Sequence, residues 1–337
     1  MSNILSHPTH EIKDSSKLDD YLLCPRFYFY SHILGWKLDQ EEHDLIFGEC
    51  IHKSREHQLI HGYDDILGAY DKFESTYRLH FDESTDAYYS PKNPTAALNA
   101  IMKFAEEHKH DLIDNEVVEL DGKKMTEIAG TVPVDEHRVL HYRMDSIIRQ
   151  CEDSMIKSWD WKTTTGKWVN DSRWDNELYL GIQNGTYTHC LYCIFPIEQV
   201  LGVEFVKIGF EFLARGSSAR PAGYHTTIRH IPAFKTPDQM SVWLWTVNAL
   251  LDDIDRDMDR LSHCTENDQV LMAFRMNHKS CTAYRGCPYF DYCMAWSNPL
   301  QQCYEPPIGF VQRFWNPMDR ESSVIKNLTF PDVDLLE

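Results

Sequence analysis

The segment Ser158-Trp-Asp160-Trp-Lys162-Thr-Thr-Thr165 places a carboxylate and an ammonium two residues apart. On a strand, such a pair projects to one face. An aspartate at a strand end can bind a divalent cation. A lysine beside it can steer or deprotonate a water and stabilise the charge of a phosphorane-like state. Asp-x-Lys by itself is a common surface ion pair. Asp145 alters that reading, because Tyr142-Arg-Met-Asp145-Ser-Ile-Ile-Arg149 is a second strand one short turn upstream. An antiparallel hairpin brings Asp145 to Asp160 on a shared face. Two converging carboxylates plus a lysine suit metal-assisted phosphoryl transfer. The alternative is a charged hairpin with its polar edges in water, a reading that Glu152 and Asp153 in the turn fit.

Two further pairs sit at helical spacing. His52 and Glu56 lie four apart in Gly48-Glu-Cys-Ile-His52-Lys-Ser-Arg-Glu56 and share a helix face. Gln183 and Tyr187 also lie four apart, and an amide and a phenol on one face can hold a water, a phosphate oxygen or each other. Basic residues near these motifs are Lys53, Arg55, Arg143, Arg149, Lys157, Lys167 and Arg173. They could track a nucleic-acid backbone, or be ordinary solvated charge. Cys190 and Cys193 form Cys-x-x-Cys beside His189 at an apolar helix end, where core packing is the expected role.

The elements that must position these residues follow from periodicity. Helical runs are expected over Leu18–Ile33, Asp44–Ile60, Tyr63–Leu79 and Thr95–Ile113. Strands are expected over Val132–Val134, Val139–Arg149 and Met155–Trp161, then over Val200–Leu213 and Tyr224–Ile231. A helix Arg173–Phe195 separates the two strand groups, and a long helix Asp238–Leu261 follows them. The remainder is cysteine-rich, aromatic and irregular. The expected fold class is α/β: a mixed sheet flanked by helices. The expected divisions are an N-terminal helical region (1–115), a core (116–263) and a C-terminal cysteine-rich segment (264–337). The 337 residues are 42% hydrophobic and 25% charged, which excludes wholesale disorder. A net charge of −19 argues against a protein that coats nucleic acid nonspecifically, though not against a local basic groove. No apolar stretch approaches membrane-spanning length and Met1 to Lys13 lacks a signal region, so an intracellular, cytoplasmic protein is expected. Ten cysteines in such a chain are expected to be thiols or metal ligands rather than disulfides. Gly-rich phosphate loops are absent, so the chain itself is not expected to hydrolyse ATP.

Gly-x-x-x-His, then Asp, then Asp-x-Lys, then Gln-x-x-x-Tyr, in that order, resembles the PD-(D/E)XK nuclease superfamily. More narrowly, it resembles the RecB-type and CRISPR-associated exonucleases, which hold an iron–sulfur cluster on four cysteines. Here the first would be Cys24 in Leu22-Leu-Cys24-Pro-Arg-Phe-Tyr28. The others would be Cys281, Cys287 and Cys293 in Cys281-Thr-Ala-Tyr-Arg-Gly-Cys287-Pro-Tyr-Phe-Asp-Tyr-Cys293. The gap between Cys281 and Cys287 is longer than the family's usual two residues, which leaves Cys303 as the alternative to Cys281.

The resemblance implies a restriction-endonuclease-like sheet and Mg2+ or Mn2+ held by His52, Asp145, Asp160 and the Trp161 carbonyl. It implies that Lys162 positions the attacking water, while Gln183 and Tyr187 orient the assembly. It implies a [4Fe–4S] cluster on Cys24, Cys281, Cys287 and Cys293. The substrate would be DNA, single-stranded or at duplex ends, cut to leave a 5′-phosphate and a 3′-hydroxyl. A protein partner in a repair, recombination or DNA-processing complex is compatible with it; a membrane partner is not expected. Two rival readings are a non-catalytic nucleic-acid-binding or assembly subunit that keeps the fold, and a zinc–cysteine protein in which Asp-x-Lys is accidental.

Overall fold

A computed structural model describes residues 7–40, 42–218, 220–282 and 286–330. The chain groups into two compact units, each discontinuous in sequence. One comprises residues 1–41, 131–142 and 237–321, the other 42–130, 143–236 and 322–337.

The second unit holds most of a mixed sheet, two strands of which run on into 131–133 and 139–142. Its strands are β1 (Asn115–Val117), β2 (Thr126–Pro133), β3 (Val139–Gln150), β4 (Ile156–Thr165), β5 (Val200–Leu213), β6 (Gly223–Ala233) and β7 (Val324–Ile325). The order is β7-β2-β3-β4-β5-β6, and β1 also pairs with β3. The β3–β4 and β5–β6 pairs are antiparallel, whereas β4–β5 and β7–β2 are parallel. The central strands β4 and β5 are β-branched and aromatic over most of their length, as strands covered on both faces must be. β2 begins at Thr126, well before the expected Val132, because Thr126–Gly130 lacks apolar alternation. At Gly130 an added Cβ would lie 1.9 Å from the Lys326 carbonyl, so only glycine lets the β7 segment close on this edge.

Helices α2 (His43–His61), α3 (Ile66–Tyr77) and α4 (Pro94–Glu107) cover one face. Phe47, Ile51, Phe73, Tyr77, Ala97 and Phe104 share a buried cluster there with Trp159, Trp161, Val206 and Phe210. Alternation puts Asp160 and Lys162 on the opposite face, where α5 (Ser172–Leu180) and α6 (Ile182–Tyr192) lie. Lys207, which pairs with Lys162 in the ladder, reaches Asp175 of α5 at 2.6 Å. The expected single helix Arg173–Phe195 is broken. Gly181 adopts an extended ψ of 149°, and Asn184 donates back to the Tyr179 carbonyl at 2.9 Å.

The first unit holds α1 (Ser15–Leu23) and α7 (Pro237–His263), tied by a 2.8 Å hydrogen bond from the Tyr21 hydroxyl to Asp257. The expected run Leu18–Ile33 is also broken. Cys24 is extended (φ −165°) before Pro25, which starts a new turn of helix. A residue before proline is driven out of the helical region, and proline then suits a first helical position. Arg26 fixes this turn by donating to the Phe274 carbonyl at 2.9 Å. Among the described residues, no helix is long and apolar enough to cross a membrane.

Candidate active site

The β3–β4 ladder pairs Ser146 with Trp159 at one end and Arg149 with Ile156 at the other. Asp145 is one step beyond the first rung. Its Oδ2 accepts the Trp161 N–H at 2.8 Å, so the side chain takes a bond that a backbone carbonyl would otherwise fill. Asp160 and Asp145 are both almost fully buried. Lys162 Nζ lies 2.5 Å from Asp160 Oδ2, making the Asp-x-Lys pair an ion pair rooted in the interior.

His52 enters from α2. Gly48, one turn earlier, faces β4, and a Cβ there would stand 3.3 Å from Thr163 Oγ1. The missing side chain therefore lets the helix close on the strand and brings His52 to it. His52 Nε2 lies 3.0 Å from the Trp161 carbonyl and Nδ1 lies 3.2 Å from Asp145 Oδ1. A ring nitrogen bonded to a backbone carbonyl fixes the ring and leaves the other nitrogen to act as ligand.

Glu127 was not found from the sequence. It is 1% exposed, and its Oε1 lies 3.9 Å from His52 Nδ1. Arg143 holds the other oxygen, Oε2, through Nε at 3.0 Å and Nη2 at 2.7 Å. The Glu127 backbone is left-handed, with φ +43°, a conformation that costs a non-glycine residue about 1–3 kcal/mol. No spacing rule signals this residue, since its place depends on that dihedral and on β2 lying beside β3.

His52, Glu127 and Asp145 thus converge, with one ligand atom of each within 4.8 Å of the others. Among the described residues, Glu127 Oε1 has no hydrogen-bond donor. A buried, unpartnered carboxylate oxygen beside an imidazole and a second carboxylate fits a divalent cation. The charges agree. Burial disfavours the His52 cation, but Asp145, then Glu127 and Asp160, outweigh it and raise the imidazole to about 9. Burial and the Asp145 charge push Glu127 up. Asp145 is held low despite burial, chiefly by His52 and Lys162. Asp160 is raised to about 6 by burial, which Lys162 opposes and Asp145 reinforces. A cation in this pocket would displace the His52 proton and relieve the crowded carboxylates.

Gln183 and Tyr187 are brought together, with Gln183 Nε2 donating to the Tyr187 hydroxyl at 2.8 Å. That hydroxyl donates to the Arg143 carbonyl, two residues from Asp145. Tyr187 is pushed far above its usual range by burial and then by the Asp160 and Asp145 charges, so it faces the carboxylates. Glu56 does not join them; it accepts from Thr126 at 3.2 Å and from the Ser323 hydroxyl. Two of the basic residues considered for backbone contact are buried instead. Arg55 stacks over Phe104 at 3.3 Å and donates to Gln58 and Tyr63, and Lys157 pairs with Glu204 at 2.7 Å.

The chain matches the family model of the PD-(D/E)XK nuclease superfamily over residues 15–294. It belongs to that superfamily. Its PD-(D/E)XK match takes in His52, Glu127, Asp145, Asp160, Lys162, Gln183 and Tyr187, and members of the superfamily are typically metal-dependent nucleases. No curated protein sequence matches the chain.

In the first unit, Cys24, Cys281, Cys287 and Cys293 line one cavity of about 130 Å3, together with Leu23, Phe27 and Met276. Cys303, the alternative to Cys281, is not among its lining residues and instead donates its thiol to the Leu300 carbonyl. All ten cysteines are free thiols. Cys190 is fully buried in α6, in keeping with a packing role.

Proposed function

We propose that the protein is a Mg2+- or Mn2+-dependent deoxyribonuclease, an exonuclease of the RecB-like and CRISPR-associated type. The observation that carries this reading is the buried set of His52, Glu127 and Asp145 beside the Asp160–Lys162 ion pair. His52, Asp145, Asp160 and the Trp161 carbonyl would hold the cation, and Glu127 adds a ligand that the sequence did not disclose. When bound, the cation supplies positive charge to the scissile phosphate. Lys162 holds the attacking water through Nζ and counters the charge that develops on phosphorus. Gln183 and Tyr187 keep that arrangement oriented through their link to β3 at Arg143. Water adds to phosphorus and the bond to the 3′-oxygen breaks. That oxygen takes up a proton, leaving a 3′-hydroxyl and a 5′-phosphate.

The same reading assigns a [4Fe–4S] cluster to Cys24, Cys281, Cys287 and Cys293. Its support is that these four thiols line one cavity while Cys303 does not. Thiolate sulfurs are the donors such a cluster takes. Burial pushes the Cys293 thiol up to about 12, so that thiol ionises only with a metal to bind it. Cys24 and Cys281 are 257 positions apart, so ligation would close a very long loop. Hydrolysis transfers no electrons, which makes the cluster a structural clamp.

End-labelled single- and double-stranded DNA, incubated with Mg2+, Mn2+ or EDTA, tests the activity. The expected result is metal-dependent shortening from ends, with 5′-phosphate products. Tight DNA binding without cleavage under every metal would favour a non-catalytic subunit.

A further inference from the structure

On the Trp159 face of the sheet, away from Asp160, a second set of ligand-type side chains meets. Helix α4 ends at Glu107, and His108 follows as its cap, its N–H bonded to the Phe104 carbonyl at 3.1 Å. The next turn returns Asp111, whose N–H bonds the His108 carbonyl at 2.9 Å. His230 comes from β6, in register with Val206 of β5. His108 Nδ1 lies 3.7 Å from Asp111 Oδ2, and His230 Nε2 lies 3.5 Å from the same oxygen. The ligand atoms of all three lie within 4.8 Å of one another.

These separations exceed hydrogen-bond length. Accordingly, Asp111 Oδ2 and His230 Nε2 are both buried with no hydrogen-bond partner among the described residues, and Asp111 is only 8% exposed. The same separations suit ligands around one ion. Zinc–ligand bonds of about 2.0–2.1 Å at tetrahedral angles set neighbouring ligand atoms about 3.3–3.4 Å apart. The surroundings add a carboxylate that orients the imidazole. Glu204 Oε1 lies 3.1 Å from His230 Nδ1, while Glu204 Oε2 is held by Trp159 Nε1 at 2.8 Å and Lys157 Nζ at 2.7 Å. An imidazole whose far nitrogen meets a carboxylate is the usual support for a metal-binding histidine. His110 Nε2 approaches the other Asp111 oxygen at 3.5 Å from the exposed side.

We propose that His108, Asp111 and His230 bind a divalent transition-metal ion, zinc by their donor set, with water in the fourth position. Two imidazoles and one carboxylate favour zinc over magnesium, which prefers oxygen ligands and keeps its waters. The site is separate from the His52 pocket and joins the end of α4 to β6, so its role is to fasten a helix to the sheet.

Zn2+ added to the chelator-treated full chain tests this through the thermal midpoint. We expect a rise of several degrees in wild type and in His52→Ala, and a clearly smaller rise in His108→Gln, whose other metal-binding groups are unchanged. Loss of one of three ligands should weaken zinc binding by more than the roughly 10–100-fold that a supporting residue costs. His108 caps its helix through its backbone, so the glutamine variant keeps that bond. X-ray absorption at the zinc edge of the wild-type protein gives a readout that needs no variant. Two imidazoles in a nitrogen/oxygen shell are expected. An unchanged rise in His108→Gln, or no zinc bound by wild type, would overturn the proposal.

Discussion

Replacing Asp160 by asparagine should make the metal-free protein more stable and the enzyme inactive. Asp160 is 1% exposed, and its carboxyl is raised from 3.8 to about 6 by burial, an effect that Lys162 only partly offsets. The native state therefore takes up this proton at a higher pH than the unfolded chain does. Stability grows as pH falls from about 6 towards 3.8 and is lowest where the group is ionised. At about 1.4 kcal/mol for each tenfold in proton affinity, the ionised carboxylate costs the fold about 3 kcal/mol at pH 7. Asparagine keeps the shape and removes the charge, so that much should be recovered, as a rise of about 4 °C in melting midpoint for a chain of 337 residues. Urea unfolding in EDTA at several pH values measures it. The gain should shrink as pH falls below 6, where wild type no longer carries the charge. With Mn2+ the order should reverse, because cation binding stabilises wild type and has lost a ligand in the variant. Cleavage should fall at least a hundredfold. The reasoning is refuted by an Asp160→Asn protein that is less stable than wild type in EDTA, or that cleaves at the wild-type rate.

Glu127→Gln should weaken Mn2+ binding at least tenfold by calorimetry, because a buried anionic ligand is replaced by a neutral amide. Alanine at Cys24, Cys281, Cys287 or Cys293 should lose iron from anaerobically purified protein, whereas Cys303→Ala and Cys190→Ala should keep it; iron analysis decides. Burial lowers His10 to about 4, with the neighbouring charges of His7, Lys17 and Lys13 adding to the effect. The native state thus resists a proton that the unfolded chain accepts. The stabilisation from this residue is present above pH 6.5 and is lost as pH falls from 6.5 to about 4, by up to about 1.4 kcal/mol per pH unit. Urea midpoints across that range should show a slope that His10→Gln reduces.

Much of the site was legible because strand alternation and helical spacing are local. Asp145 next to the β3–β4 hairpin, Asp160 and Lys162 on one face, and Gln183 beside Tyr187 all follow from periods of two and of about four. Gly48 and His52 fit the same logic, the glycine marking a close helix–strand approach. What escaped depends on geometry that the sequence does not carry. Glu127 reaches His52 and Asp145 from a left-handed backbone on a strand whose first half lacks alternation. The break at Gly181 arises from one extended residue inside an otherwise continuous helical pattern. Arg55 and Lys157 look like solvated charge in sequence, yet Phe104 and Glu204 bury them from distant segments. The His108–Asp111–His230 set joins residues more than a hundred positions apart and leaves no motif.

The central claim is that catalysis resides where His52, Glu127 and Asp145 meet the Asp160–Lys162 pair. Single-turnover cleavage of 5′-labelled DNA, comparing wild type with Lys162→Ala at saturating Mn2+ and equal DNA occupancy, tests it most directly. Lys162 is no metal ligand in this account, so the variant should bind Mn2+ and DNA as wild type does and cleave at least a hundredfold more slowly. Cleavage by Lys162→Ala at the wild-type rate, under conditions where EDTA abolishes both activities, would place the chemistry elsewhere in the molecule.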